Sequence, residues 1–186
     1  MNKKLVLFTS VLSSLAISAV AIAATNTPTK ITNKSKLAIN GIGSIRVGMT
    51  VAEASKASGT KLVSSGSTDN SSCTYVRPQG APKGIGFMVT NGRIARVDVY
   101  DNKSITTLSG AKIGDTEARI KALYPGQIKV TPHKYIIDPM GGHYLTFVPK
   151  DQSDRNYRVV FETDGKRVVN FRSGKLPEVE YSEGCA

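Results

Sequence analysis

His133 and His143 are the only histidines of the sequence, and each stands beside an aromatic residue, in His133-Lys134-Tyr135 and His143-Tyr144. An imidazole titrates near neutrality, so these two are the first candidates for acid–base work or metal ligation. A hairpin with arms 134–137 and 143–148 and loop 138–142 sets Ile137 opposite His143 and His133 opposite Phe147, so the two rings are not paired. A metal site needs further Cys or carboxylate ligands. Asp138 is the nearest, and no metal or cofactor is expected. As general bases the histidines have no nucleophile at a recognisable spacing. G-x-S-x-G and H-E-x-x-H do not occur, and Gly41-Ile42-Gly43 lacks the third glycine of a dinucleotide loop. A hydrolase using His133 or His143 is therefore an alternative, and a non-enzymatic protein is the expectation.

Recognition is the better use of these residue types. Tyr, His and Arg on a strand surface combine large contact area with hydrogen bonds at low entropic cost, as interface anchors do. By strand phase the candidates are Tyr75, Arg96, Tyr100, His133, Tyr135, His143, Tyr144, Arg158 and Arg172.

The elements that must carry these side chains are legible from local signals. Thr50 followed by Glu53 is a capping box, and Val51, Ala54 and Ala57 form an apolar stripe closed by Gly59. Val47-Gly48-Met49-Thr50 returns as Ile113-Gly114-Asp115-Thr116, 66 residues later, and opens a second helix ending at Pro125-Gly126. After each helix the pattern is strand and turn. Residues 61–72 read as a loop, and Cys73-Thr74-Tyr75-Val76 as a short strand. The prolines of 77–84 argue against a central strand there. Asn91-Gly92 makes a hairpin between Ile85–Val89 and an alternating strand 93–100, with Val97 and Val99 on one face and Arg96, Asp98 and Tyr100 on the other. Strand 157–163 alternates Tyr157, Val159 and Phe161 against Arg158, Val160 and Glu162. Asp164-Gly165 turns the chain into a last strand, 167–172, with Val169 and Phe171 inward.

Residues 1–24 carry a basic start (Lys3, Lys4), an apolar stretch and Ala21-Ile22-Ala23, the grammar of a signal peptide cleaved near Ala23 or Ala24. The mature chain is then periplasmic or secreted, with no membrane span after signal removal, and residues 25–40 read as a flexible leader. Cys73 and Cys185 are the two cysteines. In an oxidising compartment they are expected to pair, closing a loop whose entropy is worth about 4–5 kcal/mol. Residues 25–108 hold 11 Lys+Arg against 4 Asp+Glu, and residues 109–186 hold 12 against 10, out of a formal net charge of +11. A basic exported protein meets exported or envelope proteins, or anionic envelope polymers such as glycans and lipopolysaccharide, rather than nucleic acid. The acidic tail, Glu178, Glu180 and Glu183, is expected to lie against the more basic half.

A short helix opened by Gly48-Met49-Thr50 and followed by antiparallel sheet resembles the small outer-membrane assembly proteins of the BamE type (SmpA/OmlA-like) and the β-lactamase-inhibitory protein fold. Gly114-Asp115-Thr116 is the looser second match. The resemblance implies an α+β chain of two repeated units, 41–108 and 109–186 with the tail, each a short helix followed by an antiparallel β-meander. It also implies a protein-binding role, as inhibitor or assembly factor, through a sheet face.

Overall fold

The computed structural model describes residues 27–65, 72–136 and 141–185. The proposed signal segment therefore lies outside the described residues. Helix α1 (Val51–Ser58) begins where the capping box sets it. The Thr50 hydroxyl accepts the Glu53 amide at 3.2 Å, and the Glu53 carboxylate accepts the Thr50 amide at 2.8 Å. These bonds from Thr50, backbone first, hold the Glu53 carboxyl below its ordinary value. Gly59 closes the helix in the left-handed region, φ 63°. Helix α2 (Glu117–Leu123) is capped by Thr116 alone, whose hydroxyl accepts the Arg119 amide at 3.2 Å. Arg119 instead pairs with the buried Asp115 at 3.3 Å. Each helix start is pinned to a later strand in the same way. The Gly48 amide donates to Ile94 and the Gly114 amide to Val168, while Arg93 and Arg167 donate back to the carbonyls of Gly48 and Gly114.

The strands are β1 (Lys36–Ala38), β2 (Gly41–Ile42), β3 (Ile45–Arg46), β4 (Leu62–Ser64), β5 (Cys73–Pro78), β6 (Ile85–Thr90), β7 (Arg93–Tyr100), β8 (Thr106–Thr107), β9 (Ile128–Pro132), β10 (His143–Phe147), β11 (Tyr157–Thr163) and β12 (Val168–Lys175). They do not assemble as two repeated helix-plus-meander units, and the expected fold class is corrected here. One eight-stranded antiparallel sheet runs β4-β5-β6-β7-β12-β11-β10-β9, with a small second sheet ordered β3-β2-β1-β8. The junction is β7 against β12, from Asn170 opposite Tyr100 to Gly174 opposite Arg96. A meander ending at β7 would leave a row of ladder groups unpaired. Pairing with β12 satisfies them and leaves β4 and β9 as the two edges.

The core is likewise continuous. Phe87 of β6, Phe161 of β11, Phe171 of β12 and Leu145 of β10 share one buried cluster with Ala54 of α1, Ile120 of α2 and Leu37, Ile42 and Ile45 of the small sheet. Within the stretch read as a leader, Ile31 and Leu37 are buried and β1 pairs with β2 and β8. Tyr124 closes the second half, its ring 4.9 Å from Phe147 and its hydroxyl 2.7 Å from Thr107.

Three local expectations shift. Residues 62–64, read as loop, form edge strand β4. The hairpin arm before His143 is Ile128–Pro132 rather than 134–137, so His143 faces Pro132. The reason is that His133 Nδ1 accepts the amides of both Tyr135 and Ile136, turning the chain out of the ladder. Ile137 and the proposed loop through Met140 lie outside the described residues. Finally, the register slips between Glu162 and Thr163, so Val168 rather than Val169 is buried beside Phe171.

A Cβ on Gly174 would stand 2.5 Å from the Ala95 carbonyl oxygen and 2.8 Å from the Arg96 Cα. Gly174→Ala is therefore expected to wedge β7 from β12 and to cost about 1–3 kcal/mol in urea unfolding. Thr50→Ala, which removes only a cap, should cost about 1 kcal/mol in the same assay.

Candidate functional site

Period-two alternation gives the large sheet two faces, and the register assembles the polar one row by row. One row runs Tyr75, Met88, Arg96, Gly174 and Arg158; the next Gly86, Asp98, Arg172, Val160, Thr146 and Lys129; the third Tyr100, Asn170, Glu162, Tyr144 and Thr131. The opposite face carries the apolar core. We refer to the polar side as the outer face.

Its centre is a lattice of alternating charge. Arg96 Nε bonds Asp98 at 3.0 Å, and Arg96 Nη2 donates to the Tyr75 hydroxyl at 2.6 Å. Arg172 pairs with Glu162, whose second oxygen lies 3.7 Å from His133 Nε2. The His133 ring stacks on Tyr144 at 4.4 Å, with the Arg172 guanidinium 5.8 Å from the centre of the same tyrosine ring. Arg96 and Arg172 are 4% and 5% exposed, so both charges are removed from water and need these partners. Burial pushes the Asp98 carboxyl up, against the pull of Arg96. Burial, with the charge of Asp98, lifts the Tyr75 hydroxyl to about 12.

The last segment of the chain crosses this lattice as a strap. Arg96 Nη1 donates to the carbonyls of Glu178 at 3.0 Å and Tyr181 at 2.7 Å, and Arg172 Nε donates to Val179 at 2.7 Å. Glu178 accepts from Thr90 at 2.8 Å and from Lys175 at 2.5 Å. Burial raises its carboxyl, but the Lys175 and Thr90 bonds outweigh that and leave it below the ordinary value. Its other oxygen is buried without a hydrogen-bond partner. Glu183 bonds Lys134 at 2.7 Å and also the Tyr135 hydroxyl. A disulfide joins Cys73 to Cys185, with the Cα atoms 5.5 Å apart, and fixes the far end of the strap to β5. The tail does lie on the more basic half, through Thr90, Arg96 and Cys73, but the ion pairs of Glu178 and Glu183 are made with Lys175 and Lys134 of the less basic one. Local chain geometry outweighs the charge of the halves.

The strap leaves grooves on either side. One, of about 280 Å³, is lined by Lys129, Thr131, Tyr144, Thr146, Arg158, Arg172 and Glu180. The other, about 260 Å³, is lined by Arg96, Asp98, Tyr100, Glu162, Asn170 and Ser182. Arg158 is steadied by bonds to the carbonyls of Arg155 and Tyr157.

The predicted residues divide accordingly. Tyr75, Arg96, His133, Tyr144 and Arg172 share one network, Tyr135 touches the strap, and Tyr100 and Arg158 line the grooves. His143 is not brought to them. On the core side of the sheet its Nδ1 lies 2.8 Å from Glu117, which also accepts from the Thr163 hydroxyl at 2.6 Å, so it helps seat α2. Among the described residues no group of three or more His, Cys, Asp and Glu could hold a metal. Two S-x-x-K spacings do occur, Ser58 to Lys61 and Ser109 to Lys112, but the buried Ser58 hydroxyl donates to Ala54 at 2.9 Å. Sequence reasoning missed Asp98 and Glu162 as the counter-charges, although both alternate in phase with the arginines. It also missed Lys129 and Thr146, whose place depends on the β9–β10 pairing.

Among the described residues no helix is long and apolar enough to cross a membrane. No family model matches the chain, and neither does any curated protein. A solved structure described as that of the uncharacterized protein yfeY from Escherichia coli is similar at 16% identity, covering 79% of this chain and 100% of that chain. The TM-score between the two is 0.45.

Arg96→Met leaves Asp98 buried without its cation and should cost about 3–5 kcal/mol in urea unfolding; adding Asp98→Leu should recover part of that loss, the Tyr75 hydroxyl and two strap carbonyls still lacking their donor. For Glu178 the folded carboxyl is depressed, so its contribution is present above the unfolded value and is lost as pH falls through the folded one. Glu178→Gln is therefore expected to destabilise the protein at pH 7, with the difference from the parent chain shrinking as the pH of the unfolding assay is taken below about 4.

Proposed function

We propose that the chain is an exported, non-enzymatic binding protein. It recognises a protein, as an inhibitor or assembly factor does, or another envelope component, through the outer face of its sheet. The observation that carries this reading is the placement of exposed aromatics around a charge-paired centre. Tyr100, Tyr135 and Tyr181 are 43%, 54% and 43% exposed, and they lie on the outer face or on the loop and strap that cover it. Aromatic anchors bordered by satisfied polar groups are the composition of a protein interface. The disulfide supports an oxidising compartment.

The rival partner, an anionic glycan or lipopolysaccharide, would be served best by unpaired cations. Here Arg96 and Arg172 are already paired with Asp98 and Glu162. Of the groove cations, Lys129 and Arg158 stand outside such pairs among the described residues, and Arg158 is already turned onto the carbonyls of Arg155 and Tyr157, which favours a protein. The histidines serve packing in this reading. His133 is buried with both ring nitrogens engaged, and His143 is held by Glu117.

The test uses the chain lacking residues 1–24 as bait in an envelope extract, beside a variant carrying Thr146→Arg, which fills the groove lined by Lys129, Tyr144 and Arg158. A stoichiometric complex is expected with the parent chain, weakened at least about tenfold by the arginine, as for an interface centre. It should persist at moderate salt, where an attraction resting on exposed charge is screened beyond about 8–10 Å. Equal capture by both baits would refute the reading, and capture abolished by moderate salt would move it to the polyanion.

A further inference from the structure

The strap is held as a ligand is held. Three of its main-chain carbonyls, those of Glu178, Val179 and Tyr181, accept from Arg96 and Arg172. Val179 is fully buried, while Tyr181 points to solvent. A carboxylate is fixed near each end, Glu178 by Thr90 and Lys175 and Glu183 by Lys134 and Tyr135. Gly184 passes so close to Tyr75 that a Cβ there would stand 2.8 Å from its hydroxyl.

No strap residue belongs to the hydrophobic cluster that joins the sheet to its helices. The core of the fold is thus closed without the strap. What the strap supplies is hydrogen-bond acceptors for two buried guanidinium groups, laid across the face that also carries the buried Met88 and Val160. Every peptide carries main-chain carbonyls. A surface that reads carbonyls, one small apolar side chain and flanking carboxylates does not distinguish the strap from another acidic segment in the same conformation.

We infer that the outer face is a docking surface for an extended acidic segment of a partner protein, and that residues 178–185 occupy it as an internal surrogate which the partner displaces. The inference rests on the reading above, that a partner is recognised through this face. The segment it fits has an acidic residue, a small apolar residue next to it, and a second acid four residues further on, as Glu178, Val179 and Glu183 have. The groove holding Lys129 and Arg158 stays open beside the strap and receives an acidic chain before exchange. The Cys73–Cys185 bond ties the strap at its far end, so in the oxidised protein it lifts only as a loop and competes with any incoming segment at an effective concentration of about 1 mM or more.

The test is fluorescence anisotropy of a labelled peptide copying residues 176–184, Leu-Pro-Glu-Val-Glu-Tyr-Ser-Glu-Gly. It is titrated with the full chain lacking residues 1–24, oxidised, and with the same chain carrying Cys73→Ser and Cys185→Ser. The serine chain should bind at least about tenfold more tightly than the oxidised parent, because its strap is tethered at one end only. A peptide with all three Glu replaced by Gln should bind about tenfold more weakly than the acidic one. Val179→Asp, with both cysteines kept, withdraws the strap's buried side chain and should likewise admit the peptide. Overturning results are a folded serine chain and a folded Val179→Asp chain that both leave the peptide unbound at about 1 mM, or strap amides that exchange no faster in either variant than in the parent. If partner capture stays sensitive to Thr146→Arg while the peptide never binds, this inference fails and the reading beneath it stands. If capture is insensitive to Thr146→Arg, that reading itself has failed.

Discussion

Two arginines buried within one strand pairing set the conditions for the rest of the molecule. Arg96 on β7 and Arg172 on β12 stand on adjacent strands at the centre of the sheet, each almost wholly removed from water. A guanidinium in that position is tolerable only if its donors are occupied and its charge is met. Asp98 and Glu162 meet the charge, and the Tyr75 hydroxyl and the strap's carbonyls accept from further N–H groups. The β7–β12 junction, the acidic residues beside it and the closure of the tail by a disulfide are therefore parts of one requirement. Removing any of them exposes the others.

That requirement also explains the asymmetry between the two faces. The core face packs Phe87, Val97, Phe171 and Phe161 in neighbouring strands and asks only for volume to be filled. The outer face asks for directional partners, so its residues are specified by geometry. Glycine recurs there for the same reason: Gly174 lets β12 approach β7, and Gly184 lets the strap pass over Tyr75. A side chain at either place would separate the arginines from what satisfies them.

What could be read in the sequence was what is encoded locally. The Thr50–Glu53 box, the Asn91-Gly92 turn and the alternation of 157–163 each depend on residues a few positions apart, and all are found in place. The pairing of the two cysteines followed from number and compartment alone. The arrangement of the whole did not follow, because it turns on pairings between distant segments. Nothing near Tyr100 or near Asn170 announces that the two will face each other, and a repeated helix start suggested two units where one sheet forms. The strands of the small sheet are two or three residues long, too short for a period to register. For the candidate site, residue type and phase nominated Arg96, Arg172, Tyr75 and Tyr144, but phase cannot say which face a neighbouring strand will turn outward. His143 was misplaced for that reason, together with the shift of the hairpin arm to Ile128–Pro132.

The choice of arginine over lysine at both central positions follows from the same geometry. Arg96 serves four acceptors at once, the Asp98 carboxylate, the Tyr75 hydroxyl and two strap carbonyls, from three nitrogens held in one plane. An ammonium has three donors around a single atom and cannot span groups that lie on β5, β7 and the strap. The planar fork converts one buried charge into a bridge between the sheet and the segment laid across it. Its direction is set by Asp98 within the strand, two residues away, so the guanidinium is oriented before the strap arrives. An arrangement of that kind fixes where carbonyl oxygens must sit, and leaves selection among segments to the side chains at the positions of Glu178, Val179 and Glu183. This is why Glu180, Tyr181 and Glu183 of the strap can stay exposed while its main-chain carbonyls and the buried Glu178 and Val179 hold it to the sheet.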